Sequence, residues 1–287
     1  MNNKLINNMI NNGYTAIINC IDKKIIKEAQ ENINNTLKKL LVSKKLPVSK
    51  KLSTNLSNCV KILPIYEIQV LAAKNLHQNN ILYKILRSKK ILDFFISLTG
   101  PDLEYSTDGE LSINVTGVTD EYLLKRYHQE LWSGMGLSSL QVWIPIYLKP
   151  GMGTIELIKE SHTWGHVPHR DRQPTELPKK YSTEVTKIGE GSIIVMTPLT
   201  LHRTVANKHP EARMALSFTV RNIYYPKLGN ENLQEYGKLN LSYYSKFRKI
   251  LGNPFLSPFR TISSKRKKNF FDSKKIILKS YKKCDNT

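Results

Sequence analysis

Two periods of apolar residues divide the chain near Gly100-Pro101. Upstream, Gly13-Tyr14-Thr15-Ala16-Ile17-Ile18-Asn19 has the pattern of a short strand. Asp22 follows where an N-cap belongs, ahead of a helix from about Lys23 to Leu41. Ser43 to Ser57, with Pro47, four lysines and four serines, has the composition of a surface connection. From Ile65 to Ile96 apolar residues return every three or four positions, which predicts one or two helices.

Downstream the pattern shortens to runs bounded by Gly, Pro and Asp: Glu110–Val115, Leu140–Leu148, Thr154–Ile158, Ser192–Met196 and Met214–Ile223. Short strands rich in Val, Ile and Thr at such spacing predict a β sandwich or barrel rather than alternating βαβ units. The expected fold is therefore mainly β with flanking helices. The domain covers residues 1–226, with its β core from about residue 105.

Charge adds a third region. Of 44 basic and 23 acidic residues, 16 and 7 lie in residues 1–104, 13 and 12 in 105–226, and 15 and 4 in 227–287, so the net +21 sits in the flanks. Residues 227–287 are thus expected to form a basic C-terminal extension. Its Lys265-Arg266-Lys267-Lys268 run beside Phe270 and Phe271 is suited to an anionic surface or an acidic partner. Three scattered cysteines, Cys20, Cys59 and Cys284, argue against a disulfide framework and for a reducing, cytoplasmic setting. No export signal and no transmembrane span is expected.

Candidate chemistry starts with Tyr127-His128-Gln129-Glu130. On a strand His128 and Glu130 would face the same side, and His202 from a distant strand would complete two imidazoles and one carboxylate. That set leaves metal positions open and suits non-haem Fe(II) oxygen chemistry. Arg213 follows His202 beyond the polar stretch Asn207-Lys208-His209-Pro210-Glu211. A hairpin there would set Arg213 beside the His202 strand, where a buried guanidinium needs a carboxylate. Thr204, two residues from His202, would add a hydroxyl.

These residues together resemble the phytanoyl-CoA dioxygenase family of Fe(II)- and 2-oxoglutarate-dependent oxygenases. The match runs from Asn12-Gly13-Tyr14 through His128 and Glu130, Ser161-His162-Thr163-Trp164-Gly165, Gly189-Glu190-Gly191-Ser192, His202 and Arg213, over roughly residues 10–226. The resemblance implies a double-stranded β-helix, the jelly-roll or cupin-like core. It implies Fe(II) held by His128, Glu130 and His202, and 2-oxoglutarate held by Arg213 and Thr204, with Gln129, Trp143 and Leu111 lining its pocket. O2 would be the co-substrate, and succinate and CO2 would be released as a C–H bond of a small molecule is hydroxylated. Desaturation and cyclisation are variants of the same chemistry. Most members of the family carry Asp where this chain has Glu130.

Trp132, Arg126, His162 and Trp164 are candidates for substrate contact, and the basic flanks tilt the substrate towards an anionic or carrier-linked metabolite. His162, His166 and His169 resemble a zinc cluster in composition, but no cysteine is near them. Two rivals stand beside the oxygenase: a nucleic-acid-directed oxygenase or binding protein, suggested by the charge, and a jelly-roll scaffold without catalysis. No stable nucleic-acid complex is expected, because the basic excess lies away from the site residues.

Overall fold

The computed structural model describes residues 2–117 and 124–250. The Lys265–Lys268 run, Phe270, Phe271 and Cys284 lie outside them. Helix α1 (Asn2–Asn12) ends at Gly13, whose backbone at φ +84° turns the chain into strand β1 (Tyr14–Ile17). A Cβ at Gly13 would lie 2.6 Å from both the His162 ring and the Thr200 hydroxyl, so only glycine fits. Helix α2 (Lys23–Ser43) starts at Asp22, whose carboxylate accepts from the Lys24 N–H at 2.8 Å.

The expected surface connection is partly helical: α3 (Leu52–Cys59) buries Leu56 and Cys59 against α2, a contact no local pattern announces. The Ile65–Ile96 stretch is three helices, α4 (Ile65–Gln78), α5 (Ile81–Leu86) and α6 (Lys89–Thr99). Asn80, at φ 56°, breaks the first two apart.

The β region contains β2 (Leu103–Ser106), β3 (Glu110–Asn114), β4 (Ser139–Tyr147), β5 (Ile155–Ile158), β6 (His169–Arg170), β7 (Gln173–Pro174) and β8 (Thr183–Val185). It continues with β9 (Ile193–Met196), β10 (His202–Thr204), β11 (Arg213–Asn222) and β12 (Tyr236–Asn240), before helix α7 (Tyr243–Ile250). The larger sheet runs β1-β9-β4-β11-β2-β12, with β3 on the first half of the β11 edge that β2 continues. The smaller sheet runs β10-β5-β8. Antiparallel pairing throughout gives the expected jelly roll with helices outside.

Period-two alternation assigns each face of the large sheet. Val142, Ile144 and Ile146 of β4 and Met214, Leu216, Phe218 and Val220 of β11 pack with Ile33, Leu37, Ile68, Leu76 and Phe94 of the helices. The opposite face turns Trp143, Ala215, Ile194 and Met196 towards Ile155 and Leu157 of the small sheet. Both faces being covered explains why these strands read as near-continuous apolar runs.

The sheet extends past residue 226, the expected end of the domain. β12 pairs with β2, and the turn before it is pinned by a buried charge cluster. Arg221 has no exposed surface and lies 3.8 Å from both Glu104 and Glu231, with the Tyr236 ring 5.7 Å away. Glu231 also accepts from the Ser139 hydroxyl and, at 3.1 Å, from the Leu228 N–H. Its fit is tight, since a Cβ on Gly136 would come within 2.5 Å of the Glu231 carboxylate. Residues 227–240 therefore belong to the fold. Among the described residues no helix is long and apolar enough to cross a membrane.

The charge cluster and a surface pair make opposite predictions. Glu231→Gln leaves Arg221 without a full counter-charge and should cost about 3 kcal/mol. Lys84→Gln, which breaks an exposed 2.5 Å pair with Glu28, should cost less than about 1 kcal/mol. Urea denaturation midpoints of the two variants check this difference.

Candidate metal centre

His202 opens β10, where its neighbours Leu157, Glu156 and Ile155 on β5 fix the strand. On its other edge His202 forms a two-residue bridge with His128: the His128 N–H donates to the His202 carbonyl at 3.0 Å and the His202 N–H to the His128 carbonyl at 3.1 Å. The bridge sets the two imidazoles 4.2 Å apart, centroid to centroid. Glu130 is not on a strand, as the sequence suggested. It begins a 3-10 turn (Glu130–Ser133), and the extended backbone of Gln129 (φ −105°, ψ 139°) keeps the Glu130 side chain on the same side as that of His128.

Glu130 Oε1 lies 3.6 Å from His128 Nε2 and 3.4 Å from His202 Nε2, and one ligand atom from each residue falls within 4.8 Å of the others. Three ligands at about 2.1 Å from a shared metal would be about 3 Å apart, so small movements close the set. His128 Nδ1 meets the Arg126 carbonyl at 2.7 Å and His202 Nδ1 meets the Thr200 carbonyl at 3.0 Å. A carbonyl only accepts, so each Nδ1 carries a proton, and each Nε2 faces Glu130. Burial, and then the neighbouring His202, lowers the pKa of His128. Burial alone would raise that of Glu130, but hydrogen bonding to both histidines overrides it and holds the carboxyl well below its usual range. The cluster thus presents an ionised carboxylate between two imidazole nitrogens, the donor types of a metal site.

A cavity of about 40 Å³ joins these three residues to Trp143, Thr204 and Arg213. Arg213 is not beside the His202 strand, because the turn between them crosses from the small sheet to the large one instead of closing a hairpin. It reaches the cavity from across the barrel. Its guanidinium is 2% exposed, lies 5.5 Å from the Trp143 ring, and donates to the Gly153 and Thr154 carbonyls at 3.3 and 3.1 Å. Nε has no partner and no protein carboxylate pairs with it among the described residues. Burial lowers its pKa to about 10, so it is still a cation at neutral pH. Lys125 and Arg203 also line this cavity, each beside its own carboxylate, Glu110 and Glu156.

Several expected residues lie elsewhere. Leu111 points to the helices with Ile113, and its neighbours Glu110 and Ser112 face the cavity instead; β3 alternates polar and apolar residues, so its own pattern separates the two faces, and the family resemblance placed Leu111 on the wrong one. Gln129 is fully buried but turned away: its amide donates to the Gly165 and Leu199 carbonyls and its oxygen accepts from Val167 N–H, tying the ligand turn to the next loop. His162 bonds the Ile10 carbonyl at 2.9 Å and braces α1. Trp132 stacks on His169 at 4.4 Å, Trp164 packs on Tyr181, and Arg126 donates to Gln173. None of these four lines the cavity. Ser161 has a role the sequence did not suggest: its hydroxyl donates to Ile158 and accepts from Leu201 N–H, positioning the residue before His202. His166 and His169 meet only as rings, 5.4 Å apart.

A second cavity, about 330 Å³, opens beyond Glu130 and shares Glu110, Glu130, Gln141 and Ser217 with the first. Sequence reasoning missed it, because the turn at Asn230–Gln234 that closes it comes from the supposed extension.

No family profile matches the chain, and no curated protein matches it in sequence. Solved structures do match its fold. A structure described as the non-heme monooxygenase ThoJ is 16% identical over 83% of this chain and 84% of that one, with a TM-score of 0.58. The epimerase SnoN, in complex with Fe3+, alpha ketoglutarate and nogalamycin RO, is 13% identical over 79% and 86%, with a TM-score of 0.52. EctD from S. alaskensis with bound Fe is 13% identical over 77% and 76%, with a TM-score of 0.53. The chain therefore has the jelly-roll fold found in non-haem iron and 2-oxoglutarate enzymes.

Proposed function

We propose that this protein is an Fe(II)- and 2-oxoglutarate-dependent oxygenase of the phytanoyl-CoA dioxygenase type that oxidises a C–H bond of a small molecule. The observation that carries the reading is Arg213: a buried cation with an orphaned Nε and no protein carboxylate among the described residues, in the same cavity as two imidazoles and a carboxylate. A guanidinium in that state calls for an anion from outside the chain, and a dicarboxylate that chelates metal at its other end meets the need. SnoN, the epimerase described with Fe3+ and alpha ketoglutarate, has the same fold and supports the choice.

His128, Glu130 and His202 would hold the iron, each imidazole aimed by its Nδ1 contact to a carbonyl. Arg213 would bind the far carboxylate of 2-oxoglutarate, with Thr204 on the wall beside it and Trp143 closing the cavity above the guanidinium. Bound iron with 2-oxoglutarate and O2 supplies C–H oxidation, with succinate and CO2 as co-products, and hydroxylation is the default result. The protein's share is to place that bond and keep bulk water from the small cavity. Glu130 reaches both imidazoles with its longer side chain, so the departure from Asp is compatible with the site.

Anaerobic addition of Fe(II) and 2-oxoglutarate to the metal-free protein should produce a visible charge-transfer band that His202→Ala abolishes. Absence of the band in the wild type would sink the proposal. Arg213→Met should weaken 2-oxoglutarate binding on the order of a hundredfold, the loss of a buried ion pair's partner. The same variant should keep or raise the melting temperature, since it removes a desolvated cation with no protein counter-charge. Glu130→Asp draws the carboxylate back by about a C–C bond length and should weaken Fe(II) binding while leaving the far-ultraviolet circular dichroism unchanged.

A further inference from the structure

The 330 Å³ cavity is the place where a substrate would meet the candidate metal centre, and its chemistry opposes that of the smaller one. Lys125, Arg203 and Arg213 line the small cavity. Among the described residues no lysine or arginine lines the large one, which instead has four carboxylates: Asp108, Glu110, Glu130 and Glu231. Glu231 is committed to Ser139, Leu228 and Arg221, and Glu130 to the two imidazoles. Asp108 and Glu110 stand at the exposed rim, Glu110 with Lys125 3.1 Å away on the side of the small cavity.

Between rim and metal centre the wall is hydroxyl and amide. Ser217 and Gln141 lie on the inner face of β11 and β4, line both cavities, and make no side-chain hydrogen bond within the described protein. Ser133, Asn230 and Gln234 continue the polar wall, and the apolar share is limited to Phe218, Met135 and Leu233. Along β11 the inward positions run Arg213, Ala215, Ser217, Thr219, so about 20 Å of one strand passes from a buried cation to uncharged hydroxyls. An anion entering the large cavity would find carboxylates at the rim and, among the described residues, no cation on its wall to replace its water.

We infer that the substrate is an amine-bearing polyhydroxylated small molecule, of the aminosugar or aminocyclitol class, whose hydroxyls meet Ser217, Gln141 and Asn230 and whose ammonium faces Asp108 and Glu110. This rests on the reading above that His128, Glu130 and His202 hold iron. It reverses the anionic or carrier-linked substrate that the basic flanks suggested, because the flanks set the charge of the whole chain and the wall sets the charge of the guest.

The test uses the full chain loaded anaerobically with Fe(II) and 2-oxoglutarate and, in parallel, the metal-free protein. Glucosamine, 2-deoxystreptamine and kanamycin are compared with glucose 6-phosphate, gluconate and acetyl-CoA by calorimetry and by perturbation of the visible band. At least one amine polyol should bind in the millimolar range or tighter while the anions do not. The double variant Asp108→Lys, Glu110→Lys, altered only at exposed positions, should weaken that binding on the order of tenfold, the weight of one charge-assisted hydrogen bond. Preferential binding of an anion, or no binding by any amine polyol while the band forms normally, overturns the inference. Failure of the band itself overturns the iron assignment instead, and calorimetry on the metal-free protein then still decides the guest's class.

Discussion

A strand has only two faces, and β11 must satisfy both at once. Its outward residues, Met214 to Val220, are buried in the core that the sheet shares with the helices, and its inward residues begin with Arg213 and continue to the wall of the large cavity. β4, β3 and β2 all pair with it. A slip of one residue would send a guanidinium into the helical core and Met214 into the candidate metal cavity. The fit of helices to sheet and the placement of Arg213 in the small cavity are therefore one constraint, enforced by the helical core because that side buries far more apolar surface.

The sequence made some of this legible and hid the rest for identifiable reasons. Asp22 announced α2 because a cap is a local event, visible in a few residues. The long strands were legible because covered faces make apolar runs; Leu111 was assigned to the wrong side from the resemblance, although β3 alternates polar Glu110 and Ser112 with apolar Leu111 and Ile113. That His128, Glu130, His202 and Arg213 belong around one cavity was legible from residue type and order. Their geometry was not: Glu130 proved to sit on a turn, and Arg213 across the barrel from β10 instead of next to it. Strand pairing is a non-local choice, decided by which sheet each segment can close. β12 stayed hidden because its partner, β2, lies more than a hundred residues earlier, and a lysine-rich neighbourhood looks like a tail when its partner is unknown.

Charge is treated in two opposite ways inside the same shell. Arg221 is buried among Glu104, Glu231 and Tyr236, so its desolvation is met by the chain itself. Arg213, eight residues away on the same strand and just as hidden, is given only carbonyls and a ring. The first contributes to holding the C-terminal segment in place. The second is left in electrostatic debt, which a bound anion can relieve, and such an imbalance marks a binding site more clearly than residue type alone.

The two imidazoles are steered by main-chain oxygens, those of Arg126 and Thr200. The exposed side chain at 126 can vary without touching the acceptor, because every amino acid brings the same carbonyl, whereas Thr200 is held in place by its hydroxyl's bond to the Gly13 carbonyl. The orientation of both imidazoles is thus encoded in the path of the chain, and sequence divergence on the exposed side of that path leaves their aim unaltered as long as the backbone keeps its course.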